Sequence, residues 1–383
     1  MPECDNPLWP CAMTGAAACL AGISGISVVI HGSSGCYYYP ATLLKAPLFG
    51  TFILEKEVIF GSEDRLCEVI GDLAKTGNRI AVITTCVPAI LGEDVKAMVA
   101  RYEVLLVDSP GFAGDAEVGY AKALSLLEPA VDPARPGINI DGACLLDPFS
   151  RGNVQEMRRL LSLAGIPVGV VLCDTSRASL SRLSPFTLGT NTDFRSNAGE
   201  YVGGTLGFSP LKKTFGRIGE VIPEADGAAV LSEIERQEEA LIHACDKYLR
   251  RFNPPSVVIF AGSAYAGFAA DTLKHYLDAD IRGIGLRNPE TSGLPPHFPH
   301  EYVASLSRVK DLIETHAPDL VFGSSFERSV TGNRGFVGLI PPLRGEVRLA
   351  PRPLAGINGT LSFMEDVLNT CMDQKVRQRN TYS

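Results

Sequence analysis

A chain of 383 residues is long enough for two or three domains, each burying its own core, and needs no disulfide framework to hold it. With 45% hydrophobic and 20% charged residues the composition is globular and leaves little room for disorder. A formal net charge of -8 excludes a nucleic-acid surface, which needs clustered Lys and Arg. The N-terminus has no basic stretch leading into an apolar one. Residues 15–30 come nearest to a membrane span, but Gly and Ser interrupt them short of the roughly 18 apolar residues required. The expectation is a cytoplasmic protein that binds neither membrane nor nucleic acid, in which ten cysteines are reduced thiols and a few metal ligands.

Apolar runs of strand length alternate with helical stretches, which predicts an α/β fold of parallel sheets flanked by helices, in Rossmann-like units. Strands are predicted over residues 27–30, 79–84 and 104–107. Pro129, Pro133 and Pro136 then close a first domain, residues 1–135. Strands over 137–140 and 168–172 open a second domain, residues 136–252. It ends in a long helix over 227–252, where Val230, Ile234, Leu241, Cys245, Leu249 and Phe252 mark one apolar face before Asn253-Pro254-Pro255 stops it. A third domain, residues 253–383, has strands over 256–260, 281–283, 320–322 and 336–340. It carries a proline-rich surface loop over 288–300 and a C-terminal helix.

Two thiols stand where open parallel sheets place their ligands, at the carboxyl ends of strands. Cys36 follows His31-Gly32-Ser33-Ser34-Gly35, and Cys86 follows the strand over 79–84. Cys11, in Trp9-Pro10-Cys11, precedes the first strand and can fold back onto the same edge. Thiolates grouped in this way hold iron–sulfur clusters, and glycines such as Gly15, Gly32 and Gly35 let backbone N–H groups approach the sulfides. Separations of 25 and 50 residues match no short ligand motif, so ordinary buried cysteines remain the alternative at this point.

The ordered set of segments is similar to the nitrogenase component 1 family, which includes molybdenum–iron protein subunits and their cofactor-assembly and tetrapyrrole-reducing relatives. The segments are Cys11 with Gly15-Ala-Ala-Ala-Cys19, His31 to Cys36, Val58-Ile-Phe-Gly61, and Thr84-Thr-Cys86 through Asp94. Ala317-Pro-Asp319 through Gly323, Pro341-Pro-Leu343 and Gly356-Ile-Asn-Gly359 complete the set. This resemblance implies three α/β domains and a cluster, 4Fe-4S or larger, at a subunit interface. Carried over position by position, its metal ligands are Cys11, Cys36 and Cys86, in the domain of residues 1–135. The partners implied are an ATP-hydrolysing iron–sulfur reductase protein, which supplies electrons, and a second related chain, identical or different. The small-molecule substrate is read as a tetrapyrrole, and the nearest branch as the reductive cyclase of nickel-sirohydrochlorin diamide. Those compact cyclases need not carry the early cysteine that Cys11 supplies. The family's heterometal cofactor needs a late His, and none lies between Gly323 and Ser383; nitrogen fixation is therefore not expected. An assembly scaffold for a metal cofactor, without turnover of its own, is the alternative function.

Several residues carry competing readings. Tyr37, in Tyr37-Tyr38-Tyr39, can cover the cluster or stack on a flat substrate, or simply pack at an interface. His31 can orient the cluster loop or be a satisfied core histidine. Cys19 reads as core before a fourth ligand. Cys67, Cys144, Cys173, Cys245 and Cys371 read as small hydrophobes, and Cys4 lies in the N-terminal segment. Arg177, Arg182 and Arg195 are candidates for substrate carboxylates, against the simpler reading of solvated arginines. Gly262 to Gly267 reads as a strand-to-helix turn lining a cleft. Gly207 to Lys213 lacks the second glycine of a phosphate loop. No residue is singled out as the proton donor.

Overall fold

The computed structural model describes residues 9–380, with side chains as far as residue 374, so Cys4 lies outside the described residues. Three sheets carry the fold, and every strand pair in them is parallel. Parallel neighbours need crossover connections, and helices supply them here.

The first sheet runs in the order Phe49–Gly50, Ile26–His31, Arg79–Thr84, Val104–Asp108. Its two inner strands are covered on both faces. Val28, Val29 and Ile30 are buried, as are Ala81, Val82 and Ile83, so these segments read as continuous apolar runs. The second sheet is ordered Glu200–Gly204, Phe186–Gly189, Ile138–Asp141, Val168–Val171. The third, with five strands, is ordered His300–Tyr302, Asp280–Leu286, Ser256–Ala261, Leu320–Gly323, Gly335–Gly338.

All the predicted strands are present, and the α/β class holds. The strands that sequence reading passed over are short or glycine-rich. Ile23–Ser24 and Thr175–Ser176, which pair with each other, are too short for a period to register, and Glu200–Gly204 ends in two glycines. The helix predicted over 227–252 is Gly227–Leu249, with Val230, Ile234, Leu241 and Cys245 buried along one face.

The first sheet has a core of its own, while one apolar cluster runs unbroken from Ile138 to Cys371 across the second and third sheets. The C-terminal helix Gly356–Asn380 seals that shared core by returning to the helix Ser150–Leu163. Asn153 accepts the Leu354 and Ala355 N–H groups at 2.7 and 2.9 Å, and Glu156 accepts from the Asn358 side chain at 2.7 Å. Phe208, Phe215 and Phe363 are fully buried there, each stabilising the fold by roughly 1.5–3 kcal/mol. Among the described residues no helix is long and apolar enough to cross a membrane.

Candidate functional site

Cys11, Cys36 and Cys86 meet at the carboxyl edge of the first sheet, each half-buried. Cys86 opens the helix Cys86–Leu91 directly after the strand Arg79–Thr84. Cys36 lies in the first turn of the helix Ser34–Leu44, after the neighbouring strand Ile26–His31. Cys11 caps the helix Ala12–Ala21. Gly111 shows how close two of them come: a Cβ built on it would stand 3.1 Å from Cys86 Sγ and 3.2 Å from Cys11 Sγ. The two sulfurs are thus no farther apart than those distances combined. Cys36 lies within electrostatic reach of both.

Tight backbone contacts hold Cys11 in place. Trp9 is buried in a cluster of the third unit with Phe260 and Val321, which pins the segment entering Cys11. Behind Cys11, the helix Ala12–Ala21 crosses the helix Ala116–Ser125 with no room for side chains. A Cβ on Gly15 would lie 1.8 Å from the Ala116 carbonyl oxygen, and one on Gly119 would lie 1.7 Å from that of Ala12. Gly15 therefore serves helix packing, not the approach to a cluster that the sequence suggested.

Donors surround the thiols. The Gly111 N–H donates to Cys86 Sγ at 3.1 Å, and the Ser33 hydroxyl donates to Cys36 Sγ at 3.6 Å. Burial pushes the Cys36 thiol up, and Ser33 and Thr85 pull it back toward the thiolate. The buried Thr85 hydroxyl turns to Cys36 and meets no other hydrogen-bond partner. A buried hydroxyl turned to the Cys36 sulfur fits a thiolate there and fits an apolar core poorly. No three His, Cys, Asp or Glu side chains among the described residues close on a single metal-ion position.

Gly32 and Gly35, predicted beside the cluster, differ. Gly32 sits where a Cβ would strike the Thr85 hydroxyl at 1.9 Å, so it permits the Cys36 and Cys86 turns to approach each other. Gly35 is exposed and open, with Ser33 Oγ at 3.9 Å from a built Cβ. The Tyr37 ring packs edge-on against Phe52 at 4.9 Å, and its hydroxyl donates to the Leu48 carbonyl at 3.2 Å. His31 is a satisfied core histidine. Its ring is fully buried between the Thr51 and Ser62 hydroxyls, each at 3.2 Å, and Thr51 also accepts the Gly32 N–H at 3.0 Å. Burial lowers its pKa against the pull of Glu93.

Cys19 packs against Cys173, sulfur to sulfur at 3.4 Å, in the buried core. Burial raises the Cys19 thiol far above its usual range, as befits a small hydrophobe. Arg182 pairs with Asp132 at 3.2 Å and Arg195 lies over the Tyr201 ring at 4.0 Å. Sequence reading missed Gly111, Ser33 and Thr85. Pro110-Gly111, following a strand end as the Cys36 and Cys86 turns do, was the signal for the first.

A small cavity of about 60 Å³ lies where the three units meet, lined among others by Asp147, Asp193, Gly262, Tyr265 and Arg287. The 262–267 turn thus lines a cleft, as read from the sequence. Tyr265 donates to Asp147 at 2.5 Å, and burial pushes the Asp147 carboxyl up to about 6.

Three half-buried thiols, two of them just after strand ends of an α/β protein, thus lie together, with the Gly111 N–H turned to Cys86 and the Ser33 hydroxyl to Cys36. Nitrogenase component 1 type oxidoreductases match residues 11–372 of the chain, which belongs to that family. A nitrogenase molybdenum-iron protein beta chain of Methanococcus maripaludis is 22% identical over 96% of this chain and 94% of its own length. The nitrogenase iron-molybdenum cofactor biosynthesis protein NifE of Clostridium pasteurianum is 25% identical over 67% of this chain and 63% of its own. The fold is that of the solved nitrogenase Cp1 at pH 6.5, with a TM-score of 0.79 at 17% identity over 97% of this chain and 94% of that one.

Proposed function

We propose that Cys11, Cys36 and Cys86 hold an iron–sulfur cluster, 4Fe-4S or larger, completed across an interface by a second chain. Through it the protein would receive electrons from an ATP-hydrolysing iron–sulfur partner and reduce a tetrapyrrole-type substrate, nickel-sirohydrochlorin diamide being favoured. The observation that carries the reading is the meeting of three thiols from three separate turns, Cys11 and Cys86 around Gly111 and Cys36 within electrostatic reach of both. A bound cluster would supply one-electron reduction at low potential. The chain's own residues orient the ligands: Gly111 N–H and the Ser33 hydroxyl stabilise thiolate sulfur, and Thr51 and Ser62 fix His31 behind the Cys36 turn.

The rim supports a shared site. The helix Glu55–Phe60 buries none of its residues, and Phe60 is 81% exposed beside exposed Val58 and Ile59. Ile90 and Leu91, on the Cys86 helix, are exposed as well, and Glu93 accepts the Ser62 N–H at 3.0 Å, which draws the two segments together. An apolar face of this kind beside half-buried ligands suits coverage by a related chain.

Iron and acid-labile sulfide per chain, measured in protein purified without oxygen, test the ligand set. About two irons or more per chain, lost when Cys11, Cys36 and Cys86 are all changed to Ala, is the expected result. Iron absent from the folded parent, or unchanged in the variant, overturns it. The likeness to NifE favours a second reading, a scaffold on which a metal cofactor is assembled. Consumption of a tetrapyrrole absorbance band with reductant, ATP and the electron-donating partner favours the enzyme. Release of a bound metal cofactor to an acceptor protein, without such consumption, favours the scaffold.

A further inference from the structure

The largest cavity described, about 900 Å³, lies between the end of the Cys36 helix and the loop of residues 341–352. That volume is at the upper end of the range of about 300–1,000 Å³ for small-molecule pockets. Its lining is of two kinds. Leu44, Leu145, Leu146, Pro148, Pro341 and Pro342 make an apolar surface, while Lys45, Arg151, Arg344, Arg348 and Arg352 bring cations from three parts of the chain.

These cations exceed the acids available to them. Arg348 pairs with Glu346 and Arg352 with Asp366, each at 2.9 Å, but Lys45, Arg151 and Arg344 have no carboxylate partner among the described residues. Arg348 lies over the Phe149 ring at 4.6 Å, and its buried Nη1 has no hydrogen-bond partner. A buried donor left unpaired is unfavourable, and an arriving acceptor would offset that cost. Along the same loop Val347 and Leu349 are 87% and 97% exposed, so apolar side chains at the lip alternate with charged ones.

The groove is tied to the thiols by the helix Ser34–Leu44, which carries Cys36 in its first turn and Thr42, Leu43 and Leu44 in the groove wall. At 1.5 Å per residue that wall lies about 9–12 Å along the helix from Cys36. Tyr39, between them, is within electrostatic reach of Cys11 on one side and Arg344 on the other.

Resting on the tetrapyrrole reading above, we propose that this groove binds a flat macrocycle bearing several carboxylates at its edge. Lys45, Arg151, Arg344 and the free Nη1 of Arg348 read the carboxylates, and the leucine and proline surface takes the ring face. Guanidinium groups suit the role because they meet carboxylates two-fold and stack on planar rings.

Equilibrium binding of uroporphyrin, a tetrapyrrole with eight carboxylates, tests the proposal against a tetracationic N-methylpyridyl porphyrin of similar size. The parent should bind uroporphyrin in a salt-sensitive way and reject the cationic ring. The double variant Arg151→Ala/Arg344→Ala, both positions being exposed, should bind it roughly tenfold or more weakly. Equal affinity in parent and variant, or equal binding of both rings, overturns the proposal. Iron per chain is measured in the same samples. No uroporphyrin binding by a parent that holds iron and consumes a tetrapyrrole absorbance band with reductant, ATP and the electron-donating partner counts against the groove alone. No binding without such consumption counts against the tetrapyrrole reading as well, and charge-selective binding to a parent that holds no iron counts against the cluster alone.

Discussion

The thiol edge and the basic groove lie toward opposite ends of one helix and are built in contrasting ways. At the thiol edge, backbone approaches backbone, and Gly15, Gly32 and Gly111 stand where any side chain would collide with a carbonyl, a hydroxyl or a sulfur. In the groove, long side chains from the end of one helix, the start of another and a loop supply the chemistry, and Lys45, Arg151 and Arg344 are all exposed. The contrast follows from what each would hold. Bonds from thiolate to metal tolerate little displacement, so rigid elements set their positions. Carboxylates on the edge of a macrocycle are spread and mobile, and flexible cations can follow them.

Substitutions can break or sharpen this contrast. Gly15→Val should have the largest effect, because its Cβ meets a backbone oxygen that cannot withdraw without parting two helices. A loss of about 3 kcal/mol or more is expected in urea unfolding. An unchanged midpoint would mean that the Cys11 helix is not locked.

Next is Asp147, which lines both the central cavity and the groove. Burial is the main cause that raises its carboxyl to about 6, against an unfolded value near 3.9. The native state therefore holds a proton there between about pH 4 and 6. The stability this contributes is full below about pH 4 and is lost as pH rises through about 6, a change on the order of 3 kcal/mol. Asp147→Asn should remove that fall, so that unfolding free energies measured at pH 4.5 and 7 differ less than in the parent. A pH dependence identical to the parent's would show the carboxylate to be solvated.

Gly111→Ala should be milder for folding, at about 1 kcal/mol, because the added methyl group meets two sulfurs and not backbone. Its signature is iron per chain falling by half or more while the melting temperature moves little. Arg151→Ala should be the smallest of all, within about 0.5 kcal/mol of the parent in stability. A larger loss would mean that the groove wall is structural.

Much of the fold was legible because buried parallel strands need unbroken apolar runs. Val28 to Ile30 and Ala81 to Ile83 could be read directly, and so could the one-sided helix through Val230, Ile234 and Leu241. Edge strands such as Phe49–Gly50 bury too little to leave a pattern. Cys36 and Cys86 were legible as cysteines following strand ends, but the glycines were read less well. Gly15 and Gly32 look alike in sequence and differ in what opposes them: a carbonyl from another helix for one, a threonine from the next turn for the other. Nothing local to Arg344 or Arg151 tells that they face one cavity, since more than 190 residues separate them.

The sequence by itself determined the α/β class, the order of the principal strands, the long helix and the two cysteines, Cys36 and Cys86, that follow strand ends. Each of these is written in residues close together in the chain, through period, turn chemistry and the need to bury apolar surface. Tertiary structure alone decided that Gly111 N–H faces Cys86, that Trp9 anchors the approach to Cys11 in the third unit, and that the second and third sheets share a core. It also decided that unpaired cations from three segments line one groove. Those outcomes depend on which surfaces meet when distant segments pack, and packing is settled by shape and charge across the whole molecule.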